Sequence, residues 1–480
     1  MLITGAPKTL NNAADCVGQK PTGGRKNRDA DLPKTHVLLL SASNVRRVCS
    51  NTYVVLFAAC TRPVVDTGAH YMGGTSESMV VDVVDRWQSS AAGEGKSCRL
   101  LSKFGYASEN SKLPGMVPVA PGLSHSLHPD FYRQQLSGSL ERLRGTAINA
   151  YLVEHPEHHI SHRLGLLGSA GAKAGDNVGT VSPPSEAQLG DVRVAFYEEM
   201  TVLFQAMEER VETGGGGVGA YGVSSAGLSL PSCDPMHVSW EKLVGCAEAA
   251  ASKAGRARHS FSVVQMPANL LETTGLATAP AMQSAGLNVM VCHPLAAATP
   301  EGKFLLVDDA LRGGLPTDYM DVCREVLERF NLEIPEGREP TAEEEEIRQG
   351  CRFLQQLVQD MNAQLTTFTS LEHYEAELGG SITPMIAEKF EALDDDSADL
   401  LQSFFDRYGK MVRYSCAQRV RDMVTSGHGC PSGKHAVPES TPLQQYALRW
   451  LTTRPGVDCI VVGMERPEHV ADALLAMREE

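Results

Sequence analysis

Residues 63–74, "PVVDTGAHYMGG", decide how the chain is read. A short β-branched run meets Asp66, Tyr71 follows five residues later, and two glycines close the segment. Alone, the segment is a strand running into a turn, because Asp, Gly and Thr are turn formers and a tyrosine after them needs only to be packed. The pattern recurs further along. "CRLLSKFGY" (98–106) and "INAYLVEHP" (148–156) are apolar, strand-like runs that also end on ionisable side chains, Lys103 and His155.

Between these runs lie amphipathic stretches. "SESMVVDVVDRW" (76–87) reads as a helix. So does "HPDFYRQQLSGSLERLRG" (128–145), where Asp130 is placed to cap and Leu136, Leu140 and Leu143 share a face. Residues 157–190, rich in Gly, Ser and Pro, read as a long loop. Helical spacing returns at 194–211, where Phe196, Met200, Leu203, Met207 and Val211 line one side. "TGGGGVGAYGVSS" (213–225) is a glycine stop running into a strand. "HSFSVVQMPANLL" (259–271) and "GLNVMVCHPLAAA" (286–298) supply two more strands, and "HVLLL" (36–40) supplies an early one. "NTYVVLFAAC" (51–60) is β-rich by propensity but sits where a helix is due. Strand then helix, repeated, with strands apolar on both faces, predicts a parallel sheet with helices outside. The number of repeats favours an α/β fold of the closed (β/α)8 TIM-barrel type over an open sheet.

Residues 301–435 break the rhythm. They are largely helical and acidic, with seven glutamates and one arginine between 333 and 346. Cys351, Leu354, Val358, Met361, Leu365 and Phe368 then alternate at three and four. That stripe is short for a coiled coil and suits a helix laid against the barrel or against its neighbours in the insertion. At 441 the barrel rhythm resumes, with Thr441-Pro442 opening a helix, "VDCIVVG" a buried strand ending at Gly463, and a last helix. The organisation expected is a disordered tail at 1–35, a first barrel part at 36–300, a helical acidic insertion at 301–435 between strands seven and eight, and a last barrel part at 436–480. The basic residues of the tail also admit an organelle transit peptide, although Arg and Ser are few.

The chain has 480 residues, 43 basic and 58 acidic side chains and a net charge of −15. Such a balance disfavours nucleic acid and anionic membrane surfaces as partners. Twelve scattered cysteines without a CxxC pair suit free thiols in a reducing, cytoplasmic setting. No apolar run is long enough to span a bilayer. The histidines of "HPEHHISH" (155–162) lack the spacing of a zinc site, so no metal is expected.

In a parallel barrel the strand ends converge on one rim. Asp66, Tyr71, Lys103 and His155 are therefore expected to meet there. They suit proton delivery to a carbonyl oxygen: the tyrosine as general acid, the lysine favouring its phenolate and lowering its pKa, the aspartate holding the lysine, and the histidine orienting the oxygen.

At this point the sequence resembles the aldo-keto reductases. "VVDTGAHYMGGTSE" resembles the family's Asp-Thr-Ala-x-x-Tyr-Gly segment, "LLSKFGY" its lysine strand and "INAYLVEHPE" its histidine strand. "AYGVSS" resembles its Gly-Val-Ser-Asn segment, "SVVQMPANLL" its glutamine strand and "HPLAAA" its Ser-Pro-Leu loop. The likeness spans roughly 63–300 and 441–480. It implies catalytic roles for Tyr71, Asp66, Lys103 and His155, with NADPH as cofactor and a small carbonyl compound as substrate. By the same match, Ser224, Ser225 and Gln265 would bind the nicotinamide end, with His293, Pro294 and Leu295 beside it. Gly463, Arg466 and His469 would meet the phosphates and adenine. Ser225 stands where asparagine is usual, and Cys292-His293 where Tyr-Ser is common. A second reading keeps the barrel but makes it a non-catalytic redox sensor that docks a protein partner through 301–435.

Overall fold

A computed structural model describes residues 37–41, 64–91, 93–94, 96–108, 113–166, 183–212, 217–331, 338–390, 393–463 and 467–477. The 1–35 tail, the 51–60 segment, the glycine run at 213–216, the middle of the 157–190 stretch and Arg466 lie outside the described residues. The chain forms two compact units, Met1–Pro294 with Leu448–Glu480, and Leu295–Ala447.

The first unit is an (α/β)8 barrel. Its strands are β1 (Val37–Ser41), β2 (Val64–Asp66), β3 (Arg99–Phe104), β4 (Ala150–Glu154), β5 (Tyr221–Ser224), β6 (Phe261–Pro267), β7 (Asn288–Cys292) and β8 (Cys459–Gly463). They close in the order β1-β8-β7-β6-β5-β4-β3-β2, every pair parallel. Val64, Leu101, Leu152, Val263, Met290 and Val461 fill the cylinder as one apolar cluster. Because side chains alternate along a strand, the next inward position on each is two residues further on. Those positions are Asp66, Lys103, Glu154, Gln265, Cys292 and Gly463.

Several local expectations change. The helix at Pro129–Arg142 is capped by His128, whose side chain accepts from Asp130 N, not by Asp130 itself. A proline at the first helical position leaves His128 as the residue facing the free amides. The segment after β3 is not plain loop. Tyr106–Ser108, Met116–Ala120 and Leu123–Ser126 form a small antiparallel sheet. The 157–190 stretch begins with a short helix, His158–Arg163, and the next helix starts at Glu186 and runs to Glu212. That longer helix buries Phe196, Met200, Leu203 and Met207 completely.

The second unit carries a two-stranded hairpin (Ala296–Thr299 with Gly302–Leu305) and helices at Asp318–Arg329, Ala342–Gln364, Leu371–Glu377, Thr383–Lys389 and Asp395–Ser426. Thr341 and Glu344 form a reciprocal capping box, and Asp394 caps the last helix. Cys351, Leu354, Val358 and Met361 pack with Tyr319, Phe404 and Tyr408 in a core of this unit's own. The short heptad stripe is thus one face of a helical cluster. Among the described residues no helix is long and apolar enough to cross a membrane.

One position shows how tightly the cylinder is filled. A Cβ at Gly222 would lie 2.2 Å from Val263 O and 2.6 Å from Leu152 Cδ2. Overpacking of this kind costs about 1–3 kcal/mol. Gly222→Ala is expected to lower the urea midpoint of barrel unfolding accordingly; an unshifted midpoint would show that the interior has room at this level.

Candidate active site

Asp66 ends β2, but its ladder does not stop there. Thr67 N and Ala69 N go on donating to Leu101 O and Lys103 O, at 3.0 and 2.8 Å. This runs the chain along β3 and swings Tyr71 over the lysine. A left-handed run at Met72, Gly73 and Gly74 then reverses the chain into the helix Thr75–Gln88. Two of those three positions are glycines, for which such a backbone carries no Cβ clash.

The geometry at the rim is compact. Lys103 Nζ donates to Asp66 Oδ2 at 2.5 Å and to Tyr71 OH at 3.0 Å. Tyr71 OH in turn donates to Glu154 Oε1 at 2.9 Å. Behind the lysine, Ser102 Oγ donates to buried Glu77 at 2.5 Å, and Arg142 Nε holds the other oxygen of that carboxylate at 2.7 Å. β3 is therefore fixed from outside while Lys103 points in.

The sequence expectation brought His155 to the rim to orient a substrate oxygen. The side chain that bonds the Tyr71 hydroxyl there is its neighbour Glu154. The reason is strand parity: Ala150 and Leu152 belong to the barrel interior, so residue 154 is the next inward position. His155 follows with φ +48°, in the left-handed region, where the chain turns off the strand. Its Nδ1 lies 3.0 Å from Glu157 Oε1. Glu157 also accepts from Ser225 Oγ at 2.7 Å and Ala226 N at 2.9 Å. Ser225 is thus committed to this carboxylate. Ser224 does face inward, and its Oγ donates to Gln265 Oε1 at 2.7 Å. Gln265 Nε2 and Asp66 Oδ1 are buried with no close hydrogen bond among the described residues, although Gln265 lies near enough to Asp66 to favour its ionised form. His293 has φ +52° and is exposed at the end of β7, with its carbonyl accepting from Asn269. Pro294 is buried, Gly463 is exposed with no described residue where a side chain would point, and His469 is half-buried on the last helix. Leu295 belongs to the second unit.

Electrostatics correct a second expectation. Burial opposes the Lys103 charge, but Asp66, the Tyr71 oxygen and Glu154 outweigh it and hold the ammonium well above its usual range. Burial pushes the Asp66 carboxyl up, with Lys103 pulling it back toward ionisation. Tyr71 moves up, not down. Burial is the largest cause, and Glu154 and Asp66 add to it, while Lys103 alone acts the other way. Burial, with Glu154 and Asp66 adding to it, outweighs the ammonium, so the phenol stays protonated. His155 is raised: burial works against its charge, and its hydrogen bond and attraction to Glu157 prevail. The Cys292 thiol at the end of β7 is pushed far up by burial and stays neutral.

Sequence reading missed a further layer around this centre. His70 Nδ1 lies 3.5 Å from Glu154 Oε2. Its ring packs against Tyr71 and Tyr106, with centroids 4.6 and 4.7 Å away. Tyr106 OH meets His158 Nε2 at 2.9 Å. Buried His125, on the small sheet, reaches the Glu154 carbonyl at 2.6 Å. Alternation along "AYLVEH" carries the signal for Glu154, but a strand buried on both faces gives no polar mark of which set faces in.

No family model and no curated protein matches the chain. Among solved structures it is similar to a glycerol dehydrogenase of Gluconobacter oxydans, at 13% identity and a TM-score of 0.41, over 92% of this chain and 86% of that one. It is also similar to an aldo-keto reductase of Bacillus halodurans in its holo form, at 13% identity and a TM-score of 0.39, over 92% of this chain and 87% of the other.

Proposed function

We propose that the chain is an oxidoreductase of the aldo-keto reductase kind, which uses NADPH to reduce an aldehyde, ketone or sugar-like carbonyl. The observation that carries this reading is the Tyr71 hydroxyl at a barrel mouth, 3.0 Å from the buried Lys103 ammonium that Asp66 locks in place. Such a group can give up a proton to an oxygen and find its negative charge already countered.

The residues present fit a dinucleotide's amide end. Gln265 Nε2 is a buried donor that lies near Asp66 without a close hydrogen bond, and Ser224 fixes the other end of the same amide. These two side chains would hold the carboxamide, and the open backbone at Gly463 would let a phosphate approach closely. When bound, NADPH supplies the hydride to the carbonyl carbon.

The chain's own part is proton chemistry. A carbonyl oxygen entering the rim takes the place of Glu154 Oε1 as acceptor from the Tyr71 hydroxyl. Lys103 stabilises the phenolate left behind, and Asp66 keeps the ammonium aimed at it. Within this scheme His155 holds Glu157, and through it the turn after β5, so its role is to position the rim.

Tyr71→Phe removes the proton donor and leaves the ring. Carbonyl-dependent NADPH oxidation is expected to fall by about 10²–10⁴-fold, with NADPH binding by fluorescence titration preserved. Equal rates in the two proteins would defeat the role given to Tyr71. Glu154→Gln removes one of the two carboxylates that favour the neutral phenol. The Tyr71 titration, isolated by ultraviolet difference spectra against Glu154→Gln/Tyr71→Phe, is expected to move down; an upward move would contradict the effect assigned to Glu154.

A further inference from the structure

Tyr71 holds one proton, so a reductase built on it needs the phenol recharged after every turnover. Two side chains touch its hydroxyl, Lys103 and Glu154. The lysine and its partner Asp66 are each 1% exposed, and that pair ends inside the barrel. Glu154 is buried as well, yet its second oxygen looks outward. Glu154 Oε2 and His70 Nδ1 lie 3.5 Å apart, both are buried, and neither has a hydrogen-bond partner among the described residues. The His70 side chain itself is 30% exposed. A line of titratable groups thus leads from the phenol to solvent.

Resting on the reductase reading above, we propose that Glu154 and His70 form a proton relay that recharges Tyr71 between turnovers. The Tyr71 O–H bond breaks as the substrate oxygen takes its proton. A solvent proton adds to His70 Nε2 while the Nδ1 proton passes to Glu154 Oε2, leaving the imidazole neutral. A half-turn of the protonated carboxyl presents that proton to the phenolate, which takes it and restores the Glu154 carboxylate. Exchange with solvent returns His70 to its Nδ1–H form. Nothing is oxidised or reduced in the relay, and one solvent proton enters for each proton given to substrate.

The surroundings of His70 suit a transit group better than a store. Burial disfavours its charge most. Glu154 and Glu77 work the other way, and Lys103 and His155 add to the burial effect, so the ring is held below its usual range. The rings of Tyr71 and Tyr106 cover it, and Tyr106 is fixed in turn by His158. A neutral imidazole with one N–H can pass a proton through without keeping it.

Single and multiple turnovers separate this role from a structural one. In the first turnover Tyr71 spends the proton it already holds. His70→Phe is therefore expected to leave the first-turnover rate and kcat/KM unchanged, while steady-state kcat and KM drop together by about tenfold or more and added imidazole restores them. His70→Asn, which keeps a donor but cannot relay, is expected to behave like His70→Phe. An unchanged kcat, or a first turnover slowed as much as kcat, overturns the relay. A second arm needs no turnover. In the full chain with 15N-labelled histidine, NMR is expected to show His70 as the Nδ1–H tautomer, with its titration midpoint lowered in Glu154→Gln. An Nε2–H tautomer with an unmoved midpoint overturns the relay whatever the activity. A chain that consumes no NADPH with any carbonyl, yet shows that coupling, overturns the reductase reading instead.

Discussion

A buried ammonium sets the terms for everything at the mouth of this barrel. Lys103 is fully enclosed, and an unpaired charge there would cost several kcal/mol. Asp66, 2.5 Å away, removes that penalty and fixes where the ammonium points. The pair lies on neighbouring strands with Asp66 in register with Leu101, so the lysine two residues further on meets it at the rim. Removing either partner would leave the other charge buried, a loss of about 3–5 kcal/mol in comparable cases. The phenol of Tyr71 is then the group through which this stored field acts.

The barrel and its strand ends were legible in the sequence because they rest on signals the chain writes locally: apolar runs of strand length, helical spacing between them, and turn residues after them. Asp66, Tyr71 and Lys103 followed from those ends. The side chain that bonds the Tyr71 hydroxyl across from Lys103 did not. "VEHP" offers two ionisable residues in a row, and only the inward parity set by Ala150 and Leu152 selects Glu154. A half-exposed strand would have shown that parity as polar alternation; a strand covered on both faces hides it. His70 was hidden for a different reason. Its importance comes from a carboxylate far along the chain, which no local pattern announces. The small sheet at 106–126 was also missed, since its short strands look like loop until Tyr106 pairs with His125 and Ala107 with Ser124.

The insertion followed simpler rules. Its helices announce themselves by caps, with Thr341 and Glu344 reciprocating and Asp394 holding Ser397, and by a three–four stripe. What that stripe packs against was left open between the barrel and the insertion itself. The apolar cluster around Tyr408, fully buried with its hydroxyl donating to Met361 O at 2.5 Å, decides for the insertion. A segment with its own core of this size behaves as a domain, which is how 295–447 separates from the strands on either side of it.

The sign of the field around Tyr71 bears on the direction of chemistry. A tyrosine beside one lysine leans toward phenolate and could serve as base or acid. Here burial is the main cause that keeps the hydroxyl protonated, and a second carboxylate, Glu154, on its other side adds to it. The phenol is thereby kept as an acid. On the proposed reading this favours reduction, which consumes a proton at Tyr71, over alcohol oxidation, which needs the phenolate as base. The same carboxylate becomes a burden once the proton has left, because two negative oxygens then face each other at about hydrogen-bond distance. A proton arriving on either oxygen relieves that repulsion. An imidazole set against the far oxygen of that carboxylate is where such a proton can enter.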